Sequence, residues 1–265
     1  MTPDGSVRSR PAVGDWTVLA VRYATRDGVR GEHFHRFDAR AMEPHPTAYW
    51  FWVLQAPGRT VLVDAGMSDE RAAAMDGLRF EGTVLDLLPA IGVDPASVEL
   101  VILTHLHYDH AGGVGMLPGA RLVVQAAERD YWIGGDAARV RDEQWLTEQS
   151  LLDGLGDRLE IVTGDVDLAP GLQVALVGGH TRGMQVVRAA TADGPVVLAS
   201  DASHFYENVE GDRAGGIFDR YADVFHAFDR IHSLANGGIV VPGHDPAVAE
   251  RHPVVQEHPL VVRLG

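Results

Sequence analysis

The sequence predicts an α/β (α+β) protein, two β/α halves in one domain of 265 residues. Three observations carry that prediction. In the first half, apolar runs of strand length alternate with segments of helical period; the second half holds strands at the short spacing of meanders. No linker, low-complexity stretch or short-period repeat divides them, so one large core is expected over residues 1–265. Residues 1–15 mix Pro, Gly, Ser and Arg without periodicity and are expected to form a loose N-terminal arm.

Trp16 to Thr25 alternates as a strand, and Arg26-Asp27-Gly28 turns the chain. Residues 28–46 form a long polar loop whose His33, His35 and His45 lack ligand spacing. They read as surface histidines, although so long a loop can also cover a site. A hairpin follows, Ala48 to Leu54 and Thr60 to Val63 about a Pro57-Gly58 turn, and its second strand ends in Asp64. That aspartate either caps the next turn or supports a site. Val84, Leu87, Leu88 and Ile91 mark a helix between Gly82 and Gly92, with a kink or early end expected at Pro89. A buried strand, Leu100 to Leu103, precedes Thr104-His105-Leu106-His107-Tyr108-Asp109-His110. A strand at Arg121 to Gln125 and a helical stretch from Ala126 through Trp132 to Leu152 complete the first half.

In the second half, strands are expected at Leu159 to Thr163, Leu172 to Val177, Met184 to Ala189 and Val196 to Ser200. Tyr221, Val224, Phe225, Phe228, Ile231 and Ala235 mark a long amphipathic helix that Gly237-Gly238 ends. Ile239 to Val241 is a last buried strand, followed by Pro242-Gly243-His244.

Composition narrows the chemistry. With no cysteine, the chain has no disulfide, thiolate ligand or thiol nucleophile, so a metal must be held by imidazole and carboxylate. A formal charge of −15, without a basic cluster, disfavours nucleic acid and favours a small neutral substrate. No stretch approaches the ~18 apolar residues of a membrane span, and the N-terminus has no apolar signal core, so cytoplasmic residence is the default expectation.

His105 and His107 alternate on extended chain and leave one side together, whereas Asp109 and His110 fall where the chain turns into a helix. That is the layout of two adjacent metal positions. His180, Asp201 and His244 each follow an apolar strand. Strands that end at a common edge deliver side chains there, so all three can converge on the motif. Taken singly, His180 could bond a carbonyl, Asp201 could cap a helix and His244 could be a loop residue.

The HxHxDH string, the glycine-flanked histidine, the aspartate after a buried strand and the PGH loop together resemble the metallo-β-lactamase superfamily, from about Thr60 to His244. The resemblance implies an αβ/βα four-layer sandwich. It also implies that His105, His107 and His180 hold one metal, that Asp109, His110 and His244 hold a second, that Asp201 bridges them and that Asp64 supports the ligands. Diiron members carry glutamate at the second motif histidine, so His107 argues against them. Members with a cysteine ligand are excluded, and nuclease members suit the charge poorly.

GGHTRGMQ (178–185) and ASDASHFYEN (199–208) are most similar to the N-acyl homoserine lactonase group. Several of its lactonases carry a tyrosine three residues after the bridging aspartate. Here that position is His204, with Tyr206 two residues on, and either could hydrogen-bond the substrate. The expected activity is therefore that of a lactonase with two Zn²⁺, or Mn, Fe or Co, opening an N-acyl homoserine lactone by a metal-held hydroxide and so quenching bacterial signalling. Asp109 would help move the proton. Another lactone, such as one from pyridoxine degradation, or a thioester is the alternative substrate. Met67, Tyr131, Trp132, Phe205, Ile217 and Phe218 are candidates for the substrate pocket, with core packing the competing role of each. The partner is a small-molecule lactone, with no nucleic acid and no membrane; a homodimer is expected from the resemblance alone.

Overall fold

The computed structural model describes residues 15–140, 144–147, 151–152 and 155–265, so the expected arm lies outside the described residues up to residue 14. Among the described residues two sheets face each other. The larger contains β1 (Thr17–Arg26), β2 (Thr47–Ala56), β3 (Arg59–Val63), β4 (Leu78–Phe80), β5 (Val98–Ile102), β6 (Arg121–Gln125), β7 (Leu159–Val162), β13 (Val254–Val255) and β14 (His258–Arg263). Its order is β13-β14-β1-β2-β3-β5-β6-β7, with β4 paired beside β1. The smaller contains β8 (Val166–Ala169), β9 (Leu172–Leu176), β10 (Gln185–Thr191), β11 (Gly194–Ser200) and β12 (Ile239–Pro242), in the order β12-β11-β10-β9-β8.

Strand alternation explains the layering. In β5, Leu100 and Ile102 point into the core between the sheets, which they share with Leu172, Val174, Val187 and Leu198 of the smaller sheet. Val101 and Leu103 point outward beneath Leu87 and Leu88 of the helix Val84–Ala90 and Trp132 of the helix Ala126–Ile133. On the far side, Val186 and Val197 pack under Val224, Phe228 and Ile231 of the helix Tyr221–Ala235. Helix, sheet, sheet and helix give the expected αβ/βα four-layer sandwich.

Pro89 lies in the last turn of its helix, which ends at Ala90, as the sequence suggested. The helical stretch expected to reach Leu152 instead stops at Ile133. Gly134 and Gly135 follow, and Gly135 takes a φ of 95 that terminates the helix despite continuing apolar residues; parts of the expected stretch lie outside the described residues. β4, β8, β13 and β14 are strands that no alternating pattern in the sequence announces.

Topology fixes the functional edge. β3, β5 and β6 are parallel and end together, as β11 and β12 do in the other sheet. Side chains just beyond those ends project into one crevice, the usual location of a site in such sheets.

Candidate metal centre

Asp64 follows β3, Thr104 to His107 follow β5, Asp201 follows β11 and His244 follows β12. His107 precedes the short helix Tyr108–Ala111, which rotates Asp109 and His110 away from the extended pair. The result is two groups of buried ligand atoms: His105, His107, His180 and Asp201 in one, Asp109, His110 and His244 in the other.

Asp201 joins them, and its two oxygens face different groups. Oδ2 lies 3.4 Å from His180 Nε2 and 3.9 Å from His105 Nε2. Oδ1 lies 3.2 Å from His110 Nε2 and 3.0 Å from His244 Nε2. Asp109 Oδ2 is 3.6 Å from His110 Nε2 and 3.5 Å from His244 Nε2. Gly243 permits this approach, since a Cβ there would fall 2.5 Å from Asp201 Oδ1.

Hydrogen bonds on the opposite ring nitrogens set the tautomers. His180 Nδ1 donates to the Ile217 carbonyl at 3.1 Å, His244 Nδ1 to the Ala48 carbonyl at 3.1 Å and His110 Nδ1 to Asp64 Oδ2 at 2.8 Å. The Thr104 hydroxyl donates to Asp64 at 2.8 Å and can therefore only accept from His105 Nδ1, 3.0 Å away. Each of these four imidazoles thus turns Nε2, the nitrogen a cation would take, toward the centre. Asp64 has a φ of 60 and Ser200, before Asp201, a φ of 45, strained values for residues with side chains at the base of a site.

Burial holds His105 and His107 well below the usual histidine range, and pushes His180 down to about 3. For His110 and His244 burial acts the same way, but Asp201 and Asp109 outweigh it and both are raised. Burial would raise Asp201, yet His244, His110 and His204 hold it well below the carboxylate range. Despite the short separations, His105 Nε2, His110 Nε2 and Asp201 Oδ1 are buried without a hydrogen-bond partner among the described residues. Each such atom costs about 1–3 kcal/mol when left unsatisfied. Three converging orphans, with only imidazole and carboxylate donors around them, fit divalent cations.

The cluster opens into a cavity of about 350 Å³, bordered by His107, Asp109, Asp201, His204 and His244 and walled by Tyr49, Tyr108, Trp145, Leu146, Phe205 and Ile217. His204 is brought to the centre: its Nε2 is 3.2 Å from Asp201 Oδ2 and its ring stacks on His244 at 5.5 Å. Tyr206 is not. It begins the helix Tyr206–Glu210, whose phase sends its ring into the core between the sheets and its hydroxyl to His252 Nε2 at 3.1 Å. Met67 is likewise core, buried with Tyr23, Leu106 and Ala111. Tyr131, Trp132, Phe218 and Ile217 line a side cleft of about 30 Å³ beside His107 and His180.

The loop histidines are not simply surface residues. His33 and His45 pack against Phe205, at 4.9 and 4.5 Å between rings, and His33 borders the cavity. Buried Arg30 clamps the loop, donating to both Glu207 oxygens at 2.7 Å and to Asp38 at 3.1 Å. Tyr49 was also missed; β2 runs antiparallel to β3, so its beginning lies at the edge where β3 ends. Its ring stands over His244 at 5.0 Å. Glu128, buried beneath the first group, was legible only as an acid four residues before Trp132 on one helix face.

The family model for the metallo-beta-lactamase superfamily matches residues 46–244. The chain belongs to that superfamily. Its enzyme class follows, a metal-dependent hydrolase, and the ligand edge described above lies within the matched span. Among superfamily relatives, an N-acyl homoserine lactonase of a Bacillus species is 33% identical over 186 residues, covering 64% of this chain and 70% of the relative. An N-acyl homoserine lactonase of Rhizobium johnstonii is 29% identical over 219 residues, covering 74% and 81%. A solved N-acyl homoserine lactone hydrolase, with N-hexanoyl-L-homoserine bound at its catalytic metal centre, shares the fold with a TM-score of 0.73 at 22% identity, covering 92% of this chain and 98% of that one. No helix among the described residues is long and apolar enough to cross a membrane.

Proposed function

We propose that this chain opens the lactone ring of N-acyl homoserine lactones, and so removes a bacterial signal, with two divalent cations, zinc by preference. The observation that carries the reading is the seven-residue cluster divided about Asp201 at the floor of the cavity. Lactonase relatives at 33% and 29% identity support the substrate class.

In this reading His105, His107 and His180 would hold the first cation, Asp109, His110 and His244 the second, with Asp201 available to both groups. Bound cations supply a water ionised near pH 7 and positive charge for the developing oxyanion. The chain's own groups do the rest. Asp201 fixes the spacing between the two positions. Asp109 borders the cavity with its carboxylate and would take the proton given up by the attacking water and return it to the ring oxygen as its bond to the carbonyl carbon breaks. His204, which borders the cavity, would donate a hydrogen bond to a substrate carbonyl through its one ring N–H. Phe205 and Ile217 flank the ring, and the cleft of Tyr131, Trp132 and Phe218 takes apolar atoms of the acyl chain.

The test is turnover by zinc-loaded protein of N-hexanoyl and N-decanoyl homoserine lactones beside a pyridoxine-type aromatic lactone and a glutathione thioester. The acyl homoserine lactones should give the highest kcat/KM. Faster turnover of the aromatic lactone or the thioester would move the substrate assignment to that compound.

A further inference from the structure

Glu128 is fully buried, and its carboxylate accepts four hydrogen bonds. Oε1 takes the Leu106 backbone N–H at 3.0 Å and the Trp132 indole N–H at 2.8 Å. Oε2 takes the Thr181 hydroxyl at 2.7 Å and the Gly183 backbone N–H at 3.0 Å. Leu106 stands between His105 and His107, and Thr181 directly follows His180. One side chain therefore ties together the two backbone segments that carry all three histidines of the first group. Gly183 lets the second segment come this close, because a Cβ there would collide with Glu128.

A second tie lies further down the strands, where Gln185 Nε2 donates to the Leu103 carbonyl at 2.7 Å and the Gln185 N–H to the Thr104 carbonyl at 3.0 Å. That tie holds the sheets in register beneath the ligands, whereas Glu128 acts beside the ligands themselves. All four of its partners are donors, so only a carboxylate, with two oxygens and about four lone-pair sites, satisfies them together. An amide of the same shape would turn its NH₂ toward two N–H or O–H groups. The Asp109, His110 and His244 group receives no bond from Glu128.

We propose that Glu128 is the positioning residue of the first cation position, holding His105, His107 and His180 at the mutual geometry that captures a metal ion. The inference rests on the two-cation reading of the site. Its signature is selectivity: loosening this carboxylate weakens one of two positions and spares the other.

The test is titration of metal-free protein (residues 1–265) with cobalt(II), following the visible spectrum, for the parent, Glu128→Gln and Thr181→Val, with melting curves alongside. The parent should take up two equivalents. Glu128→Gln should keep one at parental affinity and bind the other about 10–100-fold more weakly, the usual range for losing a group that orients metal ligands, with an altered absorption band. Thr181→Val, which removes one of the four donors, should move the same equivalent by less. If Glu128→Gln does not fold, Thr181→Val decides by the same criterion. Variants that bind both equivalents with parental affinity and spectrum overturn the proposal alone, and so does equal weakening of both equivalents. A parent that binds no cobalt overturns the two-cation reading and this proposal with it.

Discussion

His110 Nδ1 donates to Asp64 Oδ2 at 2.8 Å, and the same carboxylate accepts the Thr104 hydroxyl on which His105 Nδ1 rests. One buried aspartate thus orients a histidine from each group. Asp64→Asn keeps the side chain's shape and tolerates the left-handed backbone, but its NH₂ must face either the His110 Nδ1–H or the Thr104 backbone N–H, which donates to Oδ1 at 2.8 Å, so one of the donors that the carboxylate satisfies loses its acceptor. We expect zinc affinity to fall by about 10–100-fold. Competition with a chromophoric chelator measures it, and unchanged affinity would remove Asp64 from this role.

His204 and Tyr206 make opposite predictions although they are two residues apart. His204 borders the cavity, so His204→Ala should lower kcat/KM by about tenfold, the worth of one substrate hydrogen bond. His204→Tyr should restore much of that loss. Tyr206 faces His252, so Tyr206→Phe should leave both kcat and KM unchanged. Steady-state kinetics on one acyl homoserine lactone separates the three variants; the reverse pattern would assign the hydrogen bond to Tyr206.

His33 provides a pH-dependent prediction away from the ligands. Burial lowers its pKa to about 4. The unfolded chain, with a histidine pKa near ~6.5, therefore binds more protons between those values, and stability is lost as pH falls from about 6.5 toward 4. His33→Gln removes the titrating group. In metal-free protein, its melting temperature should fall less than the parent's across that window, while the two differ little in pH dependence above pH 7. Parallel curves throughout would contradict the assignment.

The proposed metal ligands were legible because their sequence positions and their geometry have the same cause: each follows a strand that ends at one edge, and the two-residue period separates His105 and His107 from Asp109 and His110. The four-layer arrangement followed from the resemblance, since periodicity alone yields strands and helices without their stacking. Other features depend on long-range packing. Tyr206 and Met67 look like pocket residues by position, but the phase of a short helix and the outer core decide otherwise. β14 pairs with β1 from the other end of the chain, and no local pattern announces that partner. Glu128 resembles any helix acid until the His180 segment closes over it.

Lactone opening by this chain should require both of the cation positions that the residues around Asp201 would form. Metal-free protein should be titrated with zinc while ring-opened product from N-hexanoyl homoserine lactone is followed by proton release. Activity should be absent without metal and rise to a plateau at two zinc ions per chain. Protein that binds two zinc ions per chain and leaves the lactone intact would contradict the account.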